Sequence, residues 1–272
     1  MGDKDYIRFK KGRNMEEKDY QLIEKKLGYI YSEKETTFRV WSPIKDKITL
    51  LLYKDSQITQ RKSYVMNKQE DGVHELVLKG NWKGYYYNYL VDDTLEVTDP
   101  YSIAASLNSN RSAIIDLKDT NPSGWRHHRI PKGNDDCHAI IYEVHIKDFT
   151  WHKTSGVKNR GKFLGMVEKD TKYQGISTGL AHLKELGVTM VHLLPVFDYD
   201  SVDESKPDTP QFNWGYDPQN YNAPEGSYSS NPYDVKTRIK EMKQMIMELH
   251  KAGIQVIMDV VFNHTAKTED SN

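Results

Sequence analysis

The sequence has a single cysteine, no long apolar run and almost no net charge, and each shortage excludes a class of protein. Cys137 has no second cysteine with which to form an internal disulfide, which is typical of a reducing compartment. No apolar run reaches transmembrane length, and the N-terminal MGDKDYIRFKKGRN has no apolar core for a signal peptide. The 38 basic and 39 acidic residues leave a net charge of −1, which gives no electrostatic basis for binding nucleic acid or an anionic membrane. We therefore expect a cytoplasmic protein with no nucleic-acid or membrane partner.

Aromatic residues are what the chain has in quantity. Its 272 residues include 18 tyrosines and five tryptophans, and this length is enough for one large or two ordinary domains. Aromatic rings with polar tips suit sugar-binding surfaces, although they serve ordinary cores and interfaces more often. The composition alone therefore leaves both uses open.

Residues 28–130 have the pattern of an all-β, immunoglobulin-like sandwich. Segments rich in β-branched and aromatic residues alternate with turn residues, and they are TTFRVWSP (36–43), KITLLLYK (47–54), VHELVLKG (73–80) and GYYYNYLV (84–91). Residues 1–27 form a charged lead-in, in which 14–27 could be a short helix. The segment HHRIPKGNDDC has the proline and glycine of a linker.

Residues 137–272 change to an alternation of strands and helices. Apolar runs predict strands at 139–146, 188–196 and 254–262, and the segments 179–187 and 235–253 predict helices that end on glycine. Such an alternation indicates parallel strands joined by right-handed crossovers. We expect the first three β/α units of a (β/α)₈ TIM barrel, which is incomplete in this chain.

The long loops of this second part all follow strands. They span about 147–175 and 197–234, at the face where a barrel keeps its active site. The second loop contains FNWGYDPQNYNAPEGSYSSNP (212–232), in which proline and glycine fix the backbone that carries Trp214 and Tyr216. These aromatic residues could face a sugar, or the loop could pack on its own rings, and the residues alone favour packing.

A family resemblance favours sugar binding as the role of this loop. NWGYDPQNYNAPEGSYS together with DVVFNHT resembles the bacterial type I pullulanases, which are α-1,6 debranching enzymes of the α-amylase superfamily. IYEVHIKDFT (141–150) resembles their first barrel strand, and TTFRVWSP, GYYYNYLV and TDPYS (98–102) resemble the starch-binding-type sandwich module before it. The similarity covers about residues 28–265. One departure is Lys147, which stands where the family usually has arginine.

The resemblance implies roles for individual residues. Tyr216 would stack on the sugar just before the cleaved bond, His264 would hydrogen-bond that sugar, and Trp214 and Asn263 would also contact substrate. Three further residues are expected to be structural near the site, namely Asp259, Asp217 and His145. No cofactor is expected, although the asparagine matching Asn263 ligates calcium in some family members. A zinc site formed by His145, His192 and His264 is not favoured, because the sequence contains none of the familiar metal-binding spacings.

The resemblance also places the catalytic aspartate and glutamate on later strands, beyond this chain. The expected function is therefore the N-terminal portion of a glycoside hydrolase that cleaves α-1,6 branch linkages in pullulan, glycogen or branched dextrins. This chain would be inactive alone, and a second polypeptide would complete the barrel, because the strand at 254–262 would otherwise be an open apolar edge. A non-catalytic carbohydrate-binding protein and an α-1,4-specific member of the superfamily are the alternatives.

Overall fold

The computed structural model describes residues 24–133, 138–207 and 209–267. Most of the expected helix at 14–27 lies outside the described residues, as do Cys137 and the last five residues of the chain.

The first part of the chain is an antiparallel sandwich of two sheets. Its strands are β1 (Gly28–Tyr31), β2 (Glu35–Trp41), β3 (Ile48–Tyr53), β4 (Arg61–Val65), β5 (Asn67–Lys68), β6 (Val73–Lys79), β7 (Tyr86–Val91), β8 (Leu95–Val97) and β9 (Ser112–Ala113). One sheet has the order β1-β2-β6-β5; the other has the order β4-β3-β7-β8, with β9 also paired to β7. Alternate residues of β2 and β7 meet between the sheets, where Phe38 and Tyr87 lie edge to face at 5.1 Å.

The second part contains three parallel strands and the helices that connect them. Its elements are β10 (Ile141–Val144), α1 (Ile146–Trp151), β11 (Lys172–Tyr173), β12 (Ile176–Ser177), α2 (Gly179–Glu185), β13 (Met190–Leu193), β14 (Phe197–Tyr199), β15 (Pro218–Pro224), α3 (Val235–Lys251) and β16 (Gln255–Met258). The parallel sheet has the order β10-β13-β16. A sandwich followed by the first three β/α units of a barrel is therefore confirmed.

Helix α3 shows how the sequence builds this part. The side chain of Asp234 caps its N-terminus by accepting a hydrogen bond from the backbone N–H of Lys236 at 3.3 Å. Buried Met242, Met245 and Leu249 recur at helical spacing and pack into the barrel core. The residues near the start of α3 also pack on the sandwich, where Val235 and Ile239 join a cluster completed by Ala104, Ala113 and Ile115.

The strands are shorter than the apolar runs that predicted them. The predicted strand 254–262 ends at Met258, which pairs with Leu193, so Asp259 is the first residue after the strand. Val260 and Phe262 continue the apolar run, but they are 45% and 77% exposed because, in the part of the chain that the structure describes, no further strand covers that side. The predicted strand 139–146 ends at Val144, since His145 caps α1 by accepting a hydrogen bond from the N–H of Asp148 at 3.2 Å.

Candidate active-site face

The carboxyl ends of β10, β13 and β16 lie at one edge of the parallel sheet, and residues 209–217, the aromatic loop, lie against that edge. Gly215 makes the close approach possible: its φ is +89°, and a Cβ added there would lie 2.8 Å from the Cβ of Pro195, just after β13. The loop then runs directly into β15, which pairs with β14 in an antiparallel pair.

Two polar side chains hold the aromatic loop in shape. Asn213 accepts a hydrogen bond from the N–H of Gly215 at 2.8 Å and donates one to Asp217 at 2.7 Å. The second carboxylate oxygen of Asp217 accepts from the backbone N–H of Ser201 at 2.9 Å, which ties the loop to the segment after β14. Asp217 therefore connects two segments of this face, and both of its carboxylate oxygens accept hydrogen bonds from the protein.

His145 anchors the loop to the first barrel strand. Its Nε2 lies 2.9 Å from the carbonyl oxygen of Asn213 and 3.0 Å from the hydroxyl of Tyr228. Because Nδ1 accepts from the N–H of Asp148, Nε2 carries the proton and donates to Asn213. Burial lowers the pKa of His145, which keeps the ring neutral in this role.

Tyr216 presents its ring with the hydroxyl already fixed. The hydroxyl donates to the Oδ2 atom of Asp259, just past the end of β16. That hydrogen bond, together with partial burial and the charge of Asp259, raises the pKa of Tyr216 to about 12, so the phenol stays neutral. The residue is 37% exposed, so part of its ring remains open to solvent.

His264 and Asn263 continue the same hydrogen-bonded chain. The Nε2 of His264 lies 2.6 Å from the carbonyl oxygen of Tyr216, and its Nδ1 lies 3.0 Å from the Oδ1 of Asn263. Tyr221 completes the set by donating its hydroxyl to the carbonyl oxygen of His264 at 2.8 Å. Both ring nitrogens of His264 therefore have partners inside the protein, and a sugar hydroxyl would have to replace one of them.

Trp214 lies outside that chain but beside it. It is 58% exposed and sits edge to face with Phe212 at 6.2 Å, and Phe212 in turn tilts over the ring of His145 at 5.6 Å. The three exposed rings of Phe212, Trp214 and Tyr216 form what we call the aromatic face. Such a surface offers flat apolar area bordered by hydrogen-bonding groups, which suits the ring of a sugar.

A buried group of four charged residues, which was not among the sequence predictions, lies next to this face. We call it the charge cluster, and it consists of Asp198 on β14, Glu204, Glu225 and Arg238 on α3. All four are nearly inaccessible to solvent, with Arg238 at 0%. The Nη2 of Arg238 donates to Glu204 at 2.8 Å, and its Nη1 lies 3.5 Å from Asp198. Asp198 directly follows an apolar run, which was a usable signal; the other three carry no local mark of burial.

The charge cluster could be considered for a metal ion, because carboxylate oxygens of Asp198, Glu204 and Glu225 lie within 4.8 Å of one another. In the part of the chain that the structure describes, this is the only group of three or more histidine, cysteine or carboxylate residues with that geometry. The guanidinium of Arg238, however, already supplies a cation among these oxygens, so the cluster does not fit a calcium ion as well. The group includes neither Asn263 nor the three strand-end histidines; His192, for example, has Glu143 at 3.6 Å.

Protonation of carboxyl groups, in addition to the positive charge of Arg238, reduces the negative charge of the charge cluster. Burial, reinforced by the negative charge of Glu204, raises the pKa of Asp198 to about 7. Burial and the neighbouring carboxylates raise the pKa of Glu225 well above its usual range. Three carboxyl groups beside one arginine are therefore tolerated because some of the carboxyl groups are protonated near neutral pH.

Within the described residues, no helix is long and apolar enough to cross a membrane.

Comparison with known proteins assigns a relationship to both parts of the chain. Residues 117–271 match the alpha amylase catalytic domain, and residues 26–102 match carbohydrate-binding module 48, the isoamylase N-terminal domain. A pullulanase of Bacillus subtilis is 40% identical over 252 residues, which cover 90% of this chain and 34% of that protein. Pullulanase A of Streptococcus pneumoniae is 33% identical and covers 90% of this chain and 22% of that protein.

Solved structures agree with the sequence comparison. The pullulanase of Paenibacillus barengoltzii in complex with maltohexaose and α-cyclodextrin superimposes with a TM-score of 0.89 at 42% identity, over 92% of this chain and 40% of that one. The pullulanase of Bacillus acidopullulyticus gives a TM-score of 0.88 at 42% identity, over 93% of this chain and 31% of that one. The chain thus spans about a third of the length of the Bacillus subtilis relative.

Proposed function

The chain belongs to the α-amylase family of glycoside hydrolases, and from that membership we propose that it contributes the substrate-contacting face of a pullulanase-type enzyme. The proposed reaction is hydrolysis of α-1,6 branch linkages in pullulan, glycogen or branched dextrins. The relative from Paenibacillus barengoltzii was solved with maltohexaose, and we propose that α-glucans of this kind bind the aromatic face.

The observation that carries the proposal is the anchored ring of Tyr216. Its hydroxyl is bound to Asp259 and its carbonyl oxygen to His264, so both polar groups are satisfied before any ligand arrives. What remains for a ligand is the exposed part of the ring, at the edge of the sheet where barrels of this type keep their active sites. We propose Tyr216 as the stacking residue, with Trp214, His264 and Asn263 as further substrate contacts and Asp259, Asp217 and His145 as their supports.

The reacting groups are proposed to lie outside this chain. Retaining glycosidases need two carboxyl groups about 5–5.5 Å apart and open to the substrate. The close carboxyl groups of the charge cluster are all buried, and those of Asp198 and Glu204 are paired with Arg238, so they do not meet that need. This chain alone is therefore proposed to be inactive.

The exposed apolar residues at the edges of the parallel sheet favour a further polypeptide that supplies the remaining strands. Met258, Val260 and Phe262 are 44%, 45% and 77% exposed at the β16 edge, and Ile140 and Ile141 are half exposed at the β10 edge. Apolar edges of this kind invite pairing with another strand. We propose that additional barrel strands, on a second polypeptide, cover both edges.

Domain boundaries and location complete the proposal. We propose a lead-in at 1–27, a starch-binding-type sandwich at 28–130 and the barrel part from 137 onward. We also propose a cytoplasmic location, for which the presence of a single cysteine is the support. Fractionation of the source cells with an antibody against this chain tests the location.

Product analysis tests the proposed function. The complete protein that carries this chain is incubated with pullulan, and the products are separated by chromatography. Maltotriose as the main product supports α-1,6 cleavage, whereas panose-type products would mean α-1,4 cleavage. Binding of maltohexaose without any product would instead identify a non-catalytic carbohydrate-binding protein.

A further inference from the structure

A turn of the sandwich, residues 106–110, reaches into the barrel part and is held there in an unusual conformation. Asn108 and Ser109 have φ values of +51° and +52°, although neither is glycine. Such a backbone is uncommon in residues other than glycine, and a serine in it needs support from surrounding contacts. Ser109 is 1% exposed, so these contacts lie in the interior.

The side chains of Asn108 and Ser109 form their hydrogen bonds with the charge cluster or its immediate neighbour, Asp203. The backbone N–H of Asn108 donates to the Oε2 of Glu204 at 2.8 Å, and its side-chain oxygen accepts from the N–H of Glu204 at 2.7 Å. The side-chain amide of Asn108 also donates to Asp203 at 3.0 Å. The hydroxyl of Ser109 donates to the Oδ2 of Asp198.

The hydrogen-bond donors of Asn108 and Ser109 matter because the charge cluster has few other donors for its buried carboxyl groups. Three buried carboxyl groups share one guanidinium, whose Nε reaches no acceptor, and the Oε1 of Glu204 has no hydrogen-bond partner among the residues that the structure describes. A buried carboxylate that loses a donor costs more than an exposed one, since water cannot replace the lost bond. The sandwich therefore supplies bonds that the barrel part does not provide for itself.

Further hydrogen bonds connect the charge cluster to the β14–β15 pair, of which β15 directly follows the aromatic loop. The same Oδ2 atom of Asp198 accepts from Asn220 at 2.8 Å, which joins β14 to β15. Thr98 of the sandwich donates to the side-chain oxygen of Asn220 at 3.1 Å. The backbone pairing of β14 with β15 is irregular, with register shifts on both sides of Asp198. Side-chain bonds must therefore help to fix this pair, and Tyr216 lies two residues before β15.

We propose that Asn108 and Ser109 are positioning residues for the aromatic face, acting through Asp198 and Glu204 on the β14–β15 pair. The sandwich module then has a second role besides any glucan contact of its own: it holds the substrate-contacting loop of the barrel in shape. This inference rests on the proposed function for its consequence in glucan binding, but not for its structural part.

Glycine substitutions test the proposal cleanly, because glycine adopts a positive φ without strain. Asn108→Gly and Ser109→Gly remove only side-chain bonds, and Asn108→Gly keeps the backbone N–H that binds Glu204. Asp93→Gly is the matched control: Asp93 has a φ of +58° in the same module, but it is exposed and pairs with Lys47. All three variants are made in the complete protein.

Hydrogen exchange measured by mass spectrometry gives the first readout. We expect amide exchange in peptides covering residues 197–224 to be at least about tenfold faster in Asn108→Gly and Ser109→Gly than in wild type and in the control, which corresponds to about 1.4 kcal/mol. Exchange rates equal to those of the control would overturn the proposal. Because this measurement needs no ligand, it decides the structural part whatever the protein binds.

Affinity for maltohexaose gives the second readout. Ser109→Gly should weaken binding per folded molecule by several-fold in the wild-type background and have no further effect in a Tyr216→Ala background, since both changes act on the same ring. Equal effects in both backgrounds would mean general destabilisation and would refute positioning. A wild type that binds no glucan would refute the proposed function alone, and the exchange result would then still stand.

Discussion

Two substitutions of Tyr216 distinguish the contribution of its ring to substrate binding from the contribution of its hydroxyl. Tyr216→Phe keeps the ring and removes the hydrogen bond to Asp259. A hydrogen bond to a charged group contributes roughly 1.5–3 kcal/mol when buried. Because Tyr216 is 37% exposed, we expect a loss nearer to about 1 kcal/mol of stability. The ring would still be available to a sugar, so catalytic efficiency should fall by no more than about fivefold, the factor that corresponds to about 1 kcal/mol.

Tyr216→Ala removes the stacking surface as well. A tyrosine side chain offers on the order of 200 Å², and with the residue 37% exposed roughly 75 Å² remains for a ligand to cover. At about 25 cal/mol per Å² this area is worth about 2 kcal/mol, or about a 30-fold loss of catalytic efficiency.

The assay compares kcat/KM on pullulan and the melting temperature for both variants in the complete protein. Tyr233→Ala is the control, because Tyr233 is also exposed, at 59%, but lies just before α3 and outside the aromatic loop. The control should keep wild-type kcat/KM. An Ala variant that loses stability but keeps its activity per folded molecule would refute the stacking role, as would a Phe variant no better than Ala.

Three further outcomes follow from the same contacts. His264→Gln should retain more activity on pullulan than His264→Ala, since an amide can still donate the hydrogen bond to the aromatic loop; equal activity of Ala and wild type would remove His264 from the site. Gly226→Ala should lower the melting temperature severely, because its Cβ would lie 2.0 Å from Glu204, whereas Gly133→Ala, with its nearest contact at 3.4 Å, should be mild. The pKa of Asp198 is raised from 3.8 to about 7 by burial, so the folded state binds this proton more tightly than the unfolded chain, and this group should make stability fall as pH rises from about 4 to 7 and level off above 7. Asp198→Asn should flatten the pH dependence of the melting temperature between about pH 4 and 7, and an unchanged slope would contradict the assignment.

The order of strands and helices could be predicted from the sequence, but their ends could not. Hydrophobic periodicity marked β13 and α3 because those segments bury one face, and a continuous apolar run marked β16 although its residues are only partly buried. The strand predicted at 254–262 was too long because Val260 and Phe262 are apolar but are not paired in the sheet. The short helix α1 was missed because His145, which is an unusual cap, starts it within what looked like a continuous strand.

One part of the candidate site could likewise be predicted from the sequence, and another part could not. Tyr216, His264 and Asn263 could be found because each stands in a recognisable motif, and the structure brings them into one hydrogen-bonded chain. The strand β15 was hidden because Pro218 and Pro224 at its ends read as loop residues. The charge cluster could not be predicted, since burial of Glu204 and Arg238 depends on contacts between residues far apart in the chain.

A crystal structure of the complete protein with maltotriose tests the central claim most directly. The claim is that the aromatic face, with Tyr216 anchored to Asp259, is where the glucan binds. We predict a glucose ring stacked on the exposed side of Tyr216, with a sugar hydroxyl within hydrogen-bonding distance of His264. A bound maltotriose that contacts only the sandwich module, with Tyr216 unchanged and open to solvent, would contradict it.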